Sequence, residues 1–395
     1  MQQMITCPYC FTAVPRRSVR FRCQGGAPGR GTGCPPEVDT VLADYLGSEV
    51  AATLPPVFTA DGRRQRADCP HCGLDTFRRV CPTCHNQLPA QYSETPSKIV
   101  ALVGAKNAGK STYIAVLLHE LEHRLGAELG TSLVACDDRT IDRYQTDFAT
   151  PLFGEHRLLP TTQSAATAIR WPMVYLLSRT RQGRFNRRQD ASLALVLFDT
   201  AGEDLGRRDL VDLHLRYLTA ADAIIFLVDP LELPGAAADT REEARATTVP
   251  DANPLHVLGR VTETLRSGHE LRPGQRLKVP MAIALTKIDV LQPSLEQQSP
   301  LHQPRPRSAQ LDLDDRDAAH EQVRALLHSW HAEGLDHYLD HNYAEHAFFG
   351  LSALGGLPKD GAVAPGGIRP YRVEDPLLWL LHRFGMLDAS RRGSR

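Results

Sequence analysis

At Ile99-Val100-Ala101-Leu102-Val103 an apolar run leads into Gly104-Ala105-Lys106-Asn107-Ala108-Gly109-Lys110-Ser111-Thr112, and an apolar helical pattern follows as far as Leu125. Strand, Gly-x-x-x-x-Gly-Lys-Ser and helix form a three-part context for a phosphate-binding loop. The glycines let successive backbone N–H groups turn inward as an anion nest, and the helix N-terminus adds positive partial charge. Residues Gly104 to Thr112 are thus candidates for nucleotide contact. Lys110 is placed to reach the β- and γ-phosphates, and the Ser111 hydroxyl to ligate magnesium. A glycine-rich turn before an ordinary helix would not need this context.

Working outward, the next strands also end in chemistry. Leu193–Phe198 is apolar and stops at Asp199-Thr200-Ala201-Gly202-Glu203-Asp204. Asp199 would hold magnesium through water, and the Gly202 amide would sense a γ-phosphate. Ala282–Leu285 stops at Thr286-Lys287-Ile288-Asp289. A carboxylate there accepts from N1–H and the 2-amino group of guanine. Adenine would leave it unpaired, a mismatch worth roughly 10⁴–10⁵ in discrimination. Lys287 would lay its stem along the base. Ala347-Phe348-Phe349 leads into Gly350-Leu351-Ser352-Ala353-Leu354, where Ser352 and Ala353 could close over the guanine O6.

Four such motifs in this order resemble the Ras-like GTPases of the translation-factor-related class, over about residues 97–385. The resemblance implies a doubly wound, mostly parallel α/β sheet, GTP or GDP with Mg²⁺ as ligands, hydrolysis of GTP to GDP and phosphate, and a cytoplasmic setting. The runs 99–103, 193–198, 223–228, 281–285 and 347–351 are continuously apolar, as strands buried on both faces are. Ile169–Leu177 is expected as the antiparallel edge strand. Six lysines stand against 39 arginines, and Lys106, Lys110 and Lys287 lie inside the motifs. That placement fits sites that need a compact ammonium.

Two residues depart from the small-GTPase pattern. Glu203 stands where Gln usually orients the attacking water; it either accepts from that water or faces solvent, and hydrolysis is expected to be slow without an activator. Asn107 gives Asn-Ala-Gly-Lys-Ser, which resembles the loop of potassium-dependent GTPases and implies K⁺ beside the phosphates. The switch threonine that completes the magnesium shell is placed at Thr162, with Thr161 and Thr167 as alternatives.

Eight of nine cysteines precede the phosphate loop. Cys69-Pro70-His71-Cys72 and Cys81-Pro82-Thr83-Cys84 are two knuckles with the spacing of a tetrahedral Cys₄ zinc site. Cys7, Cys10, Cys23 and Cys34 are read as a second one. Disulfides are the competing reading, and reduced cytosolic thiols argue against it. About two zinc ions are expected, each contributing on the order of 10–16 kcal/mol to folding. The domain reading is therefore 1–50 zinc-ribbon-like module, 51–95 Cys₄ zinc ribbon, 96–388 P-loop GTPase domain with insertions, and 389–395 disordered tail. His71 and His85, beside the knuckles, are alternative ligands, but with four cysteines present they are expected at the surface, and Cys136 as a simple thiol.

Zinc ribbon, lengthened switch region and Asp-Thr-Ala-Gly-Glu-Asp together resemble a bacterial double-GTPase family, which implies a protein partner as activator or effector in a conflict or signalling system. Net charge is −1, which gives no global footprint for nucleic acid. No apolar run approaches the ~18 residues of a membrane span. Segments 230–250 and 292–315 read as surface insertions or disorder, 316–335 as one helix, and Leu377–Leu381 as part of a packed C-terminal helix. Arg179, Arg181, Arg184, Arg187 and Arg188 are expected at a hairpin tip. His119-Glu120-Leu121-Glu122-His123 matches a zinc-protease signature, but both histidines fall off the apolar stripe of their helix. His337 and His341 read as a solvated helix face. Two other readings stay open: a GTP-binding scaffold with little hydrolysis, and a zinc-ribbon nucleic-acid-binding protein timed by GTP.

Overall fold

The chain divides into two units, Met1–Ser97 with Asp212–Ala220, and Lys98–Val211 with Ala221–Arg395. The computed structural model describes residues 4–26, 33–89, 92, 97–105, 107–160, 172–182, 188–197, 208–233, 235–239, 253–359, 361–364 and 366–391.

The first unit is built from strands of two or three residues. β1 (Met4–Thr6) pairs with β2 (Ala13–Pro15). β3 (Arg20–Arg22) is central. β4 (Glu37–Val38), α1 (Thr40–Leu46) and β5 (Thr53–Leu54) form an excursion between Cys34 and β6 (Val57–Phe58). Asp39 caps α1 by accepting from the Leu42 amide, and Gly47 ends it. The hairpin β7 (Ala67–Asp68) and β8 (Asp75–Thr76) leads to β9 (Arg79–Val80), and β3 takes β6 and β9 on either side, both antiparallel. One apolar cluster here joins Phe21, Cys23, Cys34, Phe58 and Cys69, and Tyr9, Phe11, Val19, Val80 and Tyr92 are also buried in this unit. Arg22 is buried and donates to Asp39, Pro55 O and His85 O. His85 also bonds Asp39 through Nδ1 at 2.8 Å, so it is an interior residue, against the sequence expectation, whereas His71 is exposed. Burial opposes the Asp39 charge, but the Arg22 and His85 bonds outweigh it and hold the carboxyl below its usual range. Tyr217, fully buried, completes this unit with its ring 5.1 Å from that of Phe11.

The second unit is a seven-stranded sheet in the order β11-β12-β13-β10-β14-β15-β17. β10 (Ser97–Gly104) leads into α2 (Lys110–Glu120), a π-helical turn at Leu121–Leu125 and α3 (Gly126–Leu129). β11 (Thr131–Ala135), α4 (Asp138–Arg143) and a π-helical segment to Gly154 precede β12 (Met173–Gln182) and β13 (Arg188–Leu197). α5 (Arg208–Thr219), of which Asp212–Thr219 belongs to the first unit, precedes β14 (Ala223–Val228), and α6 (Pro254–Gly268) precedes β15 (Met281–Leu285). β16 (Leu311–Asp312), α7 (Leu313–Ser329), α8 (Glu333–Asn342), β17 (His346–Gly350), α9 (Asp375–Arg383) and β18 (Ala389–Ser390) complete it. β10, β14, β15 and β17 run parallel, and Ile99–Val103, Ala223–Val228, Met281–Leu285 and Ala347–Phe349 are apolar and buried without a break, as two covered faces require. Ile114, Leu117, Leu118, Leu121 and Leu125 of the helix after the loop are fully buried. Truncating one of them to Ala would cost about 2–5 kcal/mol.

Several expectations change. The antiparallel strand lies at Met173–Gln182 and is not the edge, because Thr131–Ala135 pairs along its outer side. Thr-Ser-Leu-Val-Ala alternates in burial, the period-2 signature of a strand. Arg179 sits inside β12 rather than at a hairpin tip, buried, and donates to Leu129 O, Met386 O and Ala309 O. Segment 292–315 is ordered by 3₁₀ turns at Gln292–Ser294 and Pro300–His302 and by β16. The helix expected over 316–335 is two helices, separated at the buried Trp330. Ala389–Ser390 pairs with β16, and Arg391 bonds Asp314 and Asp317, so the tail is tied down as far as Arg391. His119 stacks between His123 and Phe153 and forms no described metal cluster. His337 and His341 are exposed. No described helix is long and apolar enough to cross a membrane.

Candidate nucleotide site and metal sites

Parallel register places four strand ends at one edge of the sheet: Gly104 opposite Leu227, Val228 opposite Leu285, and Leu285 opposite Gly350. Ligands bind outside the carboxyl ends of such strands. The loop after β10 turns at Asn107, which is exposed with φ of 66°, and at Gly109, whose φ of 83° favours a residue without Cβ. Gly109 caps α2 without a side-chain acceptor, which places the N-terminal end of the helix at the loop. Lys110 is buried, and its ammonium donates to the Gly104 and Ala105 carbonyls at 2.9 and 2.8 Å. It is thus held on the inner side of the loop, where phosphate charge would sit. Ser111 and Thr112 follow, half-buried.

The next strand end holds a residue that the sequence reading missed. Asp229, fully buried after β14, accepts from the Leu231 amide at 3.0 Å and pairs with Lys287 Nζ at 2.5 Å. An acid directly after an apolar strand, in line with the other motifs, was the available signal. The pair draws the Lys287 stem across the strand ends, and Lys287 itself adopts a left-handed φ of 51°. Thr286 is anchored by its N–H and hydroxyl to Val228 O. The Ile288 amide donates to Leu351 O at 3.1 Å, so the turn that carries Asp289 is fastened to the segment after β17. Asp289 is half-buried, and among the described residues its carboxylate has neither a hydrogen-bond nor a salt-bridge partner. Ser352 is buried, and its hydroxyl accepts from the Gly355 amide, while Ala353 is half-buried beside it. Lys106, Thr162, Asp199, Gly202 and Glu203 lie outside the described residues.

The cysteines form two clusters, but not the two expected from spacing. Cys7, Cys10, Cys81 and Cys84 make one; Cys23, Cys34, Cys69 and Cys72 make the other. Strand direction explains this. β3 runs towards Cys23, and antiparallel β9 runs the opposite way towards Cys81. Knuckles adjacent in sequence are therefore delivered to opposite ends of β3. The three Cys-x-x-Cys knuckles share one geometry. The amide four residues on donates back to the first cysteine's carbonyl, at Phe11, Gly73 and His85, all with positive φ. Sulfur–sulfur distances of 3.8, 3.8, 3.5 and 3.7 Å are far too long for disulfides. A tetrahedron with Zn–S of about 2.3 Å has edges of about 3.8 Å, so both clusters fit zinc. Cys136 is half-buried and apart from both, and burial pushes its thiol up to about 12.

Residues 99–258 match the family model described as 50S ribosome-binding GTPase. A protein named "Putative ESX-1 scaffolding and assembly protein SaeC", from Mycolicibacterium smegmatis, is 28% identical over 413 residues, covering 97% of this chain and 100% of the relative. Among solved structures, the Arl6 BBS3 small GTPase of Trypanosoma brucei aligns at 14% identity and a TM-score of 0.28, over 73% of this chain and 98% of its own. The GTP-bound Ski7 GTPase-like domain of S. cerevisiae aligns at 15% identity and a TM-score of 0.34, over 73% of this chain and 50% of its own. This chain carries a P-loop GTPase domain, a guanine-nucleotide-binding fold, preceded by two Cys₄ clusters consistent with zinc ribbons.

Proposed function

We propose that the protein is a GTP-binding switch that hydrolyses GTP with Mg²⁺ and acts as a scaffold for a protein partner. The observation that carries the nucleotide reading is Asp289: a partly buried carboxylate with no partner among the described residues, at the same sheet edge as the phosphate loop, presents two acceptors for guanine N1–H and its 2-amino group. Gly104 to Thr112 would wrap the phosphates, and Lys110 would leave its loop carbonyls for the β/γ oxygens. Ser111, with Asp199 and Thr162, would hold magnesium, which supplies charge neutralisation of the γ-phosphate when bound. The Ala353 amide would meet O6. Gly202 would report the γ-phosphate, and ordering of the switch segments would be the output. The two zinc sites are structural.

The scaffold element draws on the relative's name and on Glu203, which suits slow turnover. A nucleic-acid role is disfavoured by charge. Before Lys98 there are ten Arg against eight Asp and Glu, and each Zn(Cys)₄ centre carries −2, so the metal-loaded unit is acidic. Placement in a bacterial double-GTPase system in the cytoplasm stays a proposal resting on the sequence resemblance.

Phosphate release from GTP by purified protein tests the enzyme reading. We expect slow turnover in sodium and faster turnover either in potassium, through Asn107, or with a partner's arginine. A potassium effect should vanish in Asn107→Ala. Fast hydrolysis in sodium alone contradicts both the slow-enzyme and the potassium readings; no release under any condition leaves only the GTP-binding scaffold.

A further inference from the structure

The segment Pro300–Arg305 is strapped over the base-reading end of the sheet, and two consecutive residues hold it there. Ser352 and Tyr371 exchange backbone hydrogen bonds at 2.9 and 2.8 Å, closing the base of the long excursion between them. From that point the Tyr371 phenol directs its single proton at two strap carbonyls, Leu301 O at 2.8 Å and Gln303 O at 2.6 Å. Arg372 follows, with a side chain only 1% exposed. Its five N–H donors are fully used. Nε takes Gln303 O at 3.0 Å, Nη1 takes Asp315 and Asp375, and Nη2 takes Asp315 and, at 3.4 Å, Pro300 O. Its left-handed φ of 51° is a conformation a non-glycine residue rarely adopts. Such outliers persist where the surroundings over-determine them.

The strap reaches the site through Leu301, which is fully buried. Its Cδ2 lies where a Cβ on Gly350 would be only 2.9 Å away, with Ile288 Cδ1 on the same side. Leu301 is thus wedged against Gly350, the residue before Leu351-Ser352-Ala353, and beside the turn that carries Asp289. The far end of the strap is also fixed. Arg305 is buried against Glu374 and Glu128, and the Ser308 amide donates to Glu128 on α3, beyond the phosphate-loop helix.

We infer that Tyr371 and Arg372 are positioning residues for guanine. By clamping Pro300–Arg305 onto Gly350 they set the Ser352–Ala353 backbone that reads O6. This rests on the guanine-nucleotide reading proposed above. The Ser352 amide is spent on Tyr371 O and its hydroxyl accepts from the Gly355 amide, so the backbone donor this loop would offer to O6 is the Ala353 amide. Backbone donors discriminate only when held in place, and here the holding is done from outside the loop.

The test compares three diphosphates on Tyr371→Phe and Arg372→Lys. GDP carries both O6 and the 2-amino group. Inosine diphosphate lacks the amino group read by Asp289. 2-Aminopurine riboside 5′-diphosphate lacks O6 and, with it, the N1 proton, a loss that is the same for the unaltered chain and both variants. Both variants should lose about five- to tenfold in GDP and IDP affinity, the scale of one or two hydrogen bonds. Affinity for the 2-aminopurine analogue should hold, so the O6 preference falls while the GDP-to-IDP ratio stays. Equal loss on all three diphosphates, or an unchanged O6 preference, would overturn the clamp. Tyr371→Phe removes one hydroxyl and keeps the test valid if Arg372→Lys fails to fold. If the unaltered chain bound none of the three, the nucleotide reading would fall and the clamp with it.

Discussion

The two units solve the folding problem by different means. In the sheet unit, β10, β14, β15 and β17 bury apolar side chains on both faces, and helices α2 and α9 cover them. In the Cys unit the strands are two or three residues long, and seven of the buried side chains among the described residues are cysteines of the two clusters. One unit can stand on hydrophobic burial; the other is small and made of short strands, so metal would supply much of its folding energy. The difference also separates their failure modes, and it can be broken experimentally at several points.

The largest effect should follow chelation. Removing zinc should unfold the Cys unit, at a cost on the order of 10–16 kcal/mol per site, and leave guanine-nucleotide binding largely intact. Metal analysis should give about two zinc ions per chain. The partition of ligands has its own test. Cys7 and Cys81 share one cluster, so the double variant Cys7→Ser with Cys81→Ser should lose one zinc. Loss of both would restore the pairing suggested by sequence spacing.

A smaller effect is expected inside the sheet unit. Lys287→Met would leave the fully buried Asp229 without its ammonium partner. Breaking a buried pair costs 3–5 kcal/mol, but Lys287 is partly solvated, so we expect about 2 kcal/mol. Urea unfolding followed in the sheet unit checks this, and restoration of stability by adding Asp229→Asn would show the origin of the loss.

The smallest effect concerns pH. Asp375 is buried beside Arg372 at 2.8 Å, with Arg305 at 4.0 Å and with Glu374 and Asp315 adding repulsion. Burial wins and pushes its carboxyl up to about 7 from an ordinary 3.8. Between those values the folded state keeps a proton that the unfolded state has released. This contribution to stability is therefore complete below about pH 4 and is lost as pH rises through about 7. Glu374 is shifted down, chiefly by Arg124 acting against burial, so its contribution has the opposite sign and fades as pH falls. Asp375→Asn should flatten the decline on the alkaline side of pH 4, measured as Tm against pH.

The sheet unit was legible because its signals are local. A strand ending in Gly-x-x-x-x-Gly-Lys-Ser and another ending in Thr-Lys-Ile-Asp declare themselves within a dozen residues, and parallel strands place their ends together. What escaped was set by distant contacts. The cysteine partition depends on β9 running antiparallel to β3, which spacing does not encode. The Asp229–Lys287 pair joins residues 58 apart in sequence. The ordering of Pro300–Arg305 depends on acceptor geometry around Tyr371 and Arg372. A stretch rich in Pro and Gln resembles disorder until those carbonyls find donors. The edge strand Thr131–Ala135 is too short to announce itself, and its burial pattern emerges only once β12 is beside it.

The central claim is that the strand ends form a guanine site read by the Asp289 carboxylate. Calorimetric titration of the purified, zinc-loaded chain with GDP, ADP and XDP, repeated on Asp289→Asn, tests it most directly. The account expects GDP to bind far more tightly than ADP, and Asp289→Asn to weaken GDP and admit XDP, because the amide exchanges one acceptor for a donor. Equal affinity for GDP and ADP in the unaltered chain, or an unchanged GDP affinity in Asp289→Asn, would contradict it.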